Sequence, residues 1–228
     1  MNSAYLVTAL LDDAFSLSRL PAELRAKSDS LPAARRLQWL AGRALLAEAL
    51  AALYGGDMLP AMQLSAQGKP SFTDPSLPHF SLSHSKNHLQ LVLCAAAETG
   101  GDVEQIRPRP RYLAVAKEAF TSAECQWLAK QPDPVTAFWQ LWCLREAWLK
   151  QQGGSVWQMD RIRPDPVAGK YTSEPFTDSL LWVAGDDAVM RALALPARVT
   201  EVKEWVFNAA SGRLQPQAPR QWLRFSPR

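Results

Sequence analysis

The chain has 228 residues, 47% of them apolar and 21% charged, which suits a globular protein with a sizeable core; its net charge of +3 is too small to suggest a nucleic-acid protein. Three cysteines (Cys94, Cys125 and Cys143) are odd in number and form no CxxC pair, which argues against a disulfide framework and against a zinc site. The N-terminal MNSAYLVTALLDDAF lacks the basic lead of a signal peptide, and no run nears the ~18 apolar residues of a membrane span, so a cytoplasmic monomer without membrane contact is expected.

Residues 4–11 are rich in Leu, Val and Thr and read as a first strand. Residues 33–53 carry strong helix formers with apolar side chains at helical spacing, bounded by Pro32 and by Gly55-Gly56. Four glycine and proline positions make residues 60–79 read as loops. Phe80–Ser85 and Leu89–Ala96 are expected as two strands, and Asp102–Glu104 as a short third. The Pro/Arg segment 105–111 cannot be helical throughout, and the boundary between an N-terminal subdomain (1–105) and a C-terminal one (106–228) is expected there. A helix is expected near 112–119, and another after Thr121, where Thr121 and Glu124 fit a capping box. Residues 135–151 form the strongest helix of this half, ended by Gly153-Gly154, and strands follow at 179–184, 188–195 and 199–207. The basic residues concentrate at the end: Gly212–Arg228 holds four arginines and no acid, which is expected as a solvated tail. The sum is an α+β arrangement.

Four groups of residues carry possible chemistry. Asp102 and Glu104 are two apart on a strand and share a face, where paired carboxylates repel unless a cation sits between them; oxygen ligands of this kind suit magnesium. Trp142, Glu146 and Lys150 are spaced by four on a helix that is apolar around most of its circumference, so Glu146 and Lys150 need partners, whether each other as an ordinary ion pair or a site. Lys69, on a Gly/Pro-framed loop, has the reach for a phosphate, and Ser83 with His84 offers a hydroxyl and an imidazole at a strand end. Arg36 and Arg43 lie seven apart on one helix face, as a solvated stripe or a phosphate clamp. No GxSxG or Ser–His–Asp context is present.

Taken in order, Gly68-Lys69-Pro70, Phe80-x-Leu-Ser-His-Ser85, Gly100-x-Asp-Val-Glu104 and Phe138-Trp139-x-x-Trp142-x-x-Arg-Glu-Ala-Trp-x-Lys150, with Trp39–Arg43 before them, resemble the 4′-phosphopantetheinyl transferase superfamily in its two-subdomain bacterial, holo-acyl-carrier-protein-synthase-like form. The resemblance spans about residues 35–155 and fades after 160. It implies two similar α+β subdomains in a pseudo-two-fold arrangement with the active site at their interface. It also implies transfer of 4′-phosphopantetheine from coenzyme A to a serine of an apo acyl or peptidyl carrier protein, with release of 3′,5′-ADP, as in fatty acid biosynthesis. Residue by residue, Asp102, Glu104 and Glu146 match magnesium ligands; Glu146 also matches the proposed base; Lys150 matches the lysine near the transferred phosphate; Ser83 and His84 match pyrophosphate contacts; Lys69 and Arg43 match residues near the nucleotide phosphates. Glu146, Lys150 and His84 are thus the expected catalytic groups.

Three positions depart from that pattern: Gly101 stands where Val, Ile or Cys is usual and is expected to loosen its strand, Arg145 replaces a Lys, and Ala44 follows Arg43 where some members have a hydroxyl. The resemblance further implies an acidic carrier helix meeting a basic surface, for which Arg107, Arg109, Arg111 and Lys117 are the candidates, the first three spread along an extended segment. The competing readings are a catalytically silent coenzyme A- or carrier-binding protein and a nucleic-acid module using RPRPR and the basic tail.

Overall fold

The structure, a computed structural model, describes residues 3–228. The N-terminal strand β1 (Ser3–Leu10) is followed by a short helix α1 (Ala22–Lys27) and the long helix α2 (Ala33–Tyr54). Pro32 opens α2 in extended backbone, and Gly55 closes it at φ 81°, a left-handed conformation that favours glycine. The stretch expected as loops contains a small hairpin, β2 (Met62–Leu64) and β3 (Pro70–Phe72), turning at Gly68 with φ 84°. Strands β4 (His79–Ser85), β5 (His88–Cys94) and β6 (Gly100–Gln105) follow, then helices α3 (Tyr112–Ala119), α4 (Ser122–Ala129) and α5 (Pro134–Gln152). The expected capping box is present at α4: Thr121 accepts from the Glu124 N–H, and the Glu124 carboxylate accepts from the Thr121 N–H. At α5 the Asp133 carboxylate accepts from the N–H groups of Val135 and Thr136, Pro134 occupies the first turn, and Gly153 ends the helix at φ 69°.

Strands β7 (Ile162–Asp165), β8 (Lys170–Ser173), β9 (Ser179–Gly185), β10 (Val189–Pro196), β11 (Glu201–Asn208), β12 (Arg213–Pro216) and β13 (Leu223–Pro227) complete the α+β chain. They distribute between two sheets, one ordered β12-β11-β1-β5-β4 and the other β6-β10-β9-β13-β8-β7. This order does not follow a linear cut of the chain. β6, inside the stretch expected as the N-terminal subdomain, pairs antiparallel with β10, while β11, from the other half, lies parallel beside β1. The tail after Gly212 is corrected from a solvated end to two strands. β13 pairs with β9 and buries Phe225, and Arg220 and Trp222 both donate to the buried carboxylate of Glu204. The arginine count hid Leu214, Trp222 and Phe225, the apolar residues that pin this tail.

Three apolar clusters hold the layers. One fills the space between α2 and the first sheet, one lies under α5 with Trp139 and Trp148 fully buried, and a third, with Val92, Trp182 and Leu193, lies between the sheets. β4 then crosses to β6 by a different device. Its alternate side chains Phe80 and Leu82 join the α2 cluster, while Ser81, Ser83 and Ser85 point the other way. Their hydroxyls accept from the N–H groups of Gly101 (3.0 Å), Val103 (3.4 Å) and Gln105 (3.1 Å), so a row of serines replaces a backbone ladder along the second edge of β6.

The glycines of β6 make this approach possible. A methyl group at Gly100 would stand 1.9 Å from the Ala147 carbonyl oxygen on α5, and one at Gly101 would stand 2.5 Å from a methyl of Val92 on β5. Gly101 therefore does not loosen the strand; it lets β6 lie closely between β5 and α5.

Candidate active site

The even-numbered residues of β6 face α5, which brings the expected carboxylates together with the charged stripe of that helix. Asp102 is buried; one of its oxygens, Oδ1, accepts from the Lys150 ammonium at 2.5 Å and from the Ser83 hydroxyl at 2.8 Å. Lys150 also donates to Ser83 Oγ at 2.9 Å. The other oxygen, Asp102 Oδ2, is buried without a hydrogen-bond partner among the described residues. Such an orphaned carboxylate oxygen costs free energy unless something positive or protic meets it. Glu104, half-buried, accepts from Ser85 Oγ at 2.5 Å. Gln90 holds the strand from beneath, donating to the Asp102 carbonyl at 2.9 Å.

The electrostatics follow from the crowding. Burial, then repulsion from Asp102, pushes Glu146 up to about 7, against the opposing pull of Lys150. Burial also raises Glu104, with the Ser85 hydrogen bond working the other way. Burial alone would lower Lys150, but Asp102 and Glu146 outweigh it and hold the ammonium above its ordinary value. Among the described residues no three carboxylate, imidazole or thiol groups are drawn together as a metal cage; the positive charge among these acids is that of Lys150. The donor set nevertheless fits a hard cation: all-oxygen ligands, one orphaned, and two carboxyls whose ionisation is opposed by their surroundings.

Ser83 and His84 are separated by the strand pleat. Ser83 turns its hydroxyl toward Asp102, whereas His84 lies on the α2 side; both residues border a cavity of about 210 Å³ with Arg35, Trp39, Gly42 and Arg43. Burial, then the charge of Lys150, lowers His84 below its ordinary value, which favours a neutral imidazole at neutral pH. Arg43 lies over the Trp39 ring at 3.6 Å, forms no ion pair among the described residues, and leaves its buried Nε without a partner. Burial lowers it to about 10. A half-buried guanidinium with no acid partner, beside a second arginine, is built for an anion. Arg36, the other candidate on α2, is bound at the surface to Asp29 at 2.6 Å, and Arg35 takes its place in the cavity.

Lys69 borders a second cavity of about 210 Å³, formed with Pro70, Leu82, Lys150, Gly153 and Gly154. Its ammonium donates to Glu98 at 2.5 Å, to the Thr99 carbonyl at 3.3 Å and to the Gln151 carbonyl at 3.0 Å. All three donors of the ammonium are thereby committed to joining the β5–β6 connection to the end of α5.

The 107–111 segment differs from the expected spread of free guanidinium groups. Arg109 packs over the Trp142 ring at 4.8 Å and near Phe138 and Trp139; Arg107 lies 5.9 Å from Trp139. Cation–π attraction to the aromatic face of α5 explains the difference. Arg111 and Lys117 remain exposed.

Sequence reasoning missed Ser85, Gln90 and Arg35 as site-forming residues. The signal for Ser85 was present in the Ser81-x-Ser83-x-Ser85 alternation; Gln90 gave none, because its role depends on which strand lies opposite.

The model of the 4′-phosphopantetheinyl transferase superfamily matches residues 98–184, which include β6 and all of α5. The 4′-phosphopantetheinyl transferase AcpT of Salmonella typhi is 39% identical over 146 residues, 63% of this chain and 72% of the relative. This chain belongs to the 4′-phosphopantetheinyl transferase superfamily. A putative 4′-phosphopantetheinyl transferase of Haemophilus influenzae is 28% identical over 192 residues, 79% of this chain and 81% of the relative, and the uncharacterized protein YieE of Escherichia coli K12 is 30% identical over 198 residues, 85% and 80%. The carboxylates of β6 and the Glu146–Lys150 stripe thus lie in the region by which this phosphopantetheinyl transferase matches its superfamily. No helix among the described residues is long and apolar enough to cross a membrane.

Proposed function

We propose that this transferase moves 4′-phosphopantetheine from coenzyme A to a serine of an apo acyl or peptidyl carrier protein, releasing 3′,5′-ADP, with magnesium held by Asp102, Glu104 and Glu146. The observation that carries the reading is the orphaned oxygen of Asp102 amid three acids and one lysine, beside a cavity whose Arg43 has no acid partner. In the reaction, the carrier serine oxygen forms a bond to the phosphorus that bears pantetheine. The bond from that phosphorus to the bridging oxygen breaks, and the electron pair leaves with 3′,5′-ADP. Magnesium supplies charge neutralisation at the pyrophosphate when bound.

The remaining work belongs to the chain. Glu146, beside Lys150 on the α5 stripe, is the carboxylate that would accept the serine proton. Lys150 offers an ammonium to the transferred phosphate, and Ser83 holds both Lys150 and Asp102 in place. Arg43 and neutral His84 bind the nucleotide phosphates in the cavity beside α2. Lys69 supports the second cavity through its three bonds and reaches a phosphate only by leaving Glu98. Exposed Arg111 and Lys117 offer the basic approach for an acidic carrier.

The test is mass spectrometry of apo carrier proteins incubated with the enzyme and coenzyme A. The expected product carries one added phosphopantetheine group, formed with magnesium and absent after chelation. Modification that persists under thorough chelation overturns the metal assignment, and failure to modify any carrier while coenzyme A still binds favours a silent binding protein.

A further inference from the structure

The serine row on β4 does two jobs that can be separated. Ser81, Ser83 and Ser85 all accept from an N–H of β6, and this shared contact holds the strand. Ser81 does only that to β6: Ser83 and Ser85 each meet the side chain that precedes their N–H partner, Asp102 and Glu104, and the residue in that place for Ser81 is Gly100, which has none. Ser83 also donates to Asp102, but Asp102 is held by Lys150 as well. Ser85 differs from both. Its hydroxyl donates to Glu104 Oε2, and it is the one hydrogen-bond partner of that carboxylate among the described residues.

Ser85 is itself buried, with 7% of its surface exposed, and sits opposite His88 in the β4–β5 ladder, so its position is fixed by backbone pairing on one side and by the Gln105 N–H on the other. A hydroxyl accepting from Gln105 N–H has a single proton, and the geometry directs it to Glu104. The glutamate side chain has three rotatable bonds and, among the described residues, no lysine or arginine within ion-pair distance, so Ser85 gives it its one directional contact while Lys150, Arg107 and Asp102 act on it only through their charge.

We infer that Ser85 is a positioning residue that aims the Glu104 carboxylate at the cation site, a role distinct from the strand-holding contact it shares with Ser81. The inference rests on the reading of Asp102, Glu104 and Glu146 as the magnesium site. Groups that orient a metal ligand through a hydrogen bond typically change metal affinity by about 10–100-fold when removed.

The experiment is calorimetric titration of magnesium, and of manganese as a second probe, into the full-length protein without coenzyme A or carrier, together with thermal unfolding. Ser85→Ala is expected to weaken cation binding roughly tenfold. Ser85→Thr, which keeps the hydroxyl, is expected to restore most of it. Ser81→Ala, which removes an equivalent strand contact, is expected to lower the melting temperature to a similar extent and leave cation affinity within twofold of wild type. In a Glu104→Gln background the Ser85→Ala change is expected to have no further effect on cation affinity. Should Ser85→Ala fail to fold, Ser85→Cys keeps the side-chain size with only a weak S–H donor and reads the same loss. Cation affinity within twofold of wild type in the folded Ser85 variant, while the wild type binds well, overturns the role of Ser85 and leaves the metal site standing. Absence of cation binding by the wild type overturns the metal site, and the role of Ser85 with it.

Discussion

Two ion pairs hang from helix α5, five residues apart, and they are built in opposite ways. Arg145 is fully buried; it reaches both oxygens of Glu124 at 2.6 Å, lies against the Phe120 ring at 4.4 Å, and meets a carboxylate that also caps α4. Lys150 keeps 30% of its side chain exposed, reaches one oxygen of Asp102, and leaves the other without a hydrogen-bond partner among the described residues. In the first pair both carboxylate oxygens are taken, and it holds α4 to α5. The second is incomplete, with the cation at the edge of a cavity, which is how a site differs from a strut on the same helix. The Arg145 replacement noted in the sequence belongs to the strut: its Nη2 meets both oxygens of Glu124 while its Nη1 donates to the Leu141 carbonyl at 3.3 Å.

Substitution should separate the two pairs. Beside the incomplete pair, Glu146→Gln is expected to reduce turnover by about 100-fold or more, the usual contribution of a general base, while the melting temperature of the metal-free protein does not fall. Carrier modification followed alongside thermal unfolding checks both halves; turnover close to wild type returns Glu146 to a bystander. At the Arg145–Glu124 pair, Glu124→Ala leaves a buried guanidinium uncompensated and is expected to destabilise the fold by about 3–5 kcal/mol in denaturant titration. A loss below 1 kcal/mol would show that the pair is not the clamp its geometry suggests.

A gentler probe is pH. Glu146 holds its proton up to about 7 in the folded protein against an ordinary value of 4.5. The folded state therefore binds the extra proton in that window, and its stability should fall as pH rises from about 5 to about 7, by at most about 1.4 kcal/mol per unit. Glu146→Gln should flatten that slope in the metal-free protein, whereas Glu124→Ala should leave it. The smallest effects are expected at the surface. Arg111→Glu with Lys117→Glu should raise the carrier KM several-fold at low salt with the coenzyme A KM unchanged, and added salt should erase the difference. Arg43→Ala should give the reverse split, raising the coenzyme A KM about tenfold, as expected for a lost charge-assisted bond.

Most elements were legible in the sequence where local chemistry decides them. The α4 capping box, the Gly55 and Gly153 helix ends and the alternation of β4 and β5 are all local signals, and each element stands within a few residues of its expected bounds. What was illegible is what depends on partners distant in the chain. Gly101 read as a weakness because nothing in its neighbourhood announces Val92. The basic tail read as solvated because Glu204, the acid that receives Arg220, lies outside it. Arg109 read as free because its aromatic partners follow about thirty residues later. For the candidate site, residue identity was legible, but the division of labour was not. The pleat of β4 sends Ser83 and His84 to opposite sides, and only the assembled sheets show that Lys69 is already bound on three sides.

The parallel pairing of β1 with β11 has a consequence for how the chain is made. Ser3 sits in register with Glu201, and Thr8 with Val206, so β1 waits for a strand made nearly two hundred residues later to find one of its two neighbours. β5 can join β1 early, but the opposite edge of β1 stays open through most of synthesis, with a row of unpaired N–H and C=O groups. Closure across nearly two hundred residues is a slow, high-contact-order event. Until it happens the nascent chain carries an adhesive edge, and a product cut short before β11 would keep that edge for good.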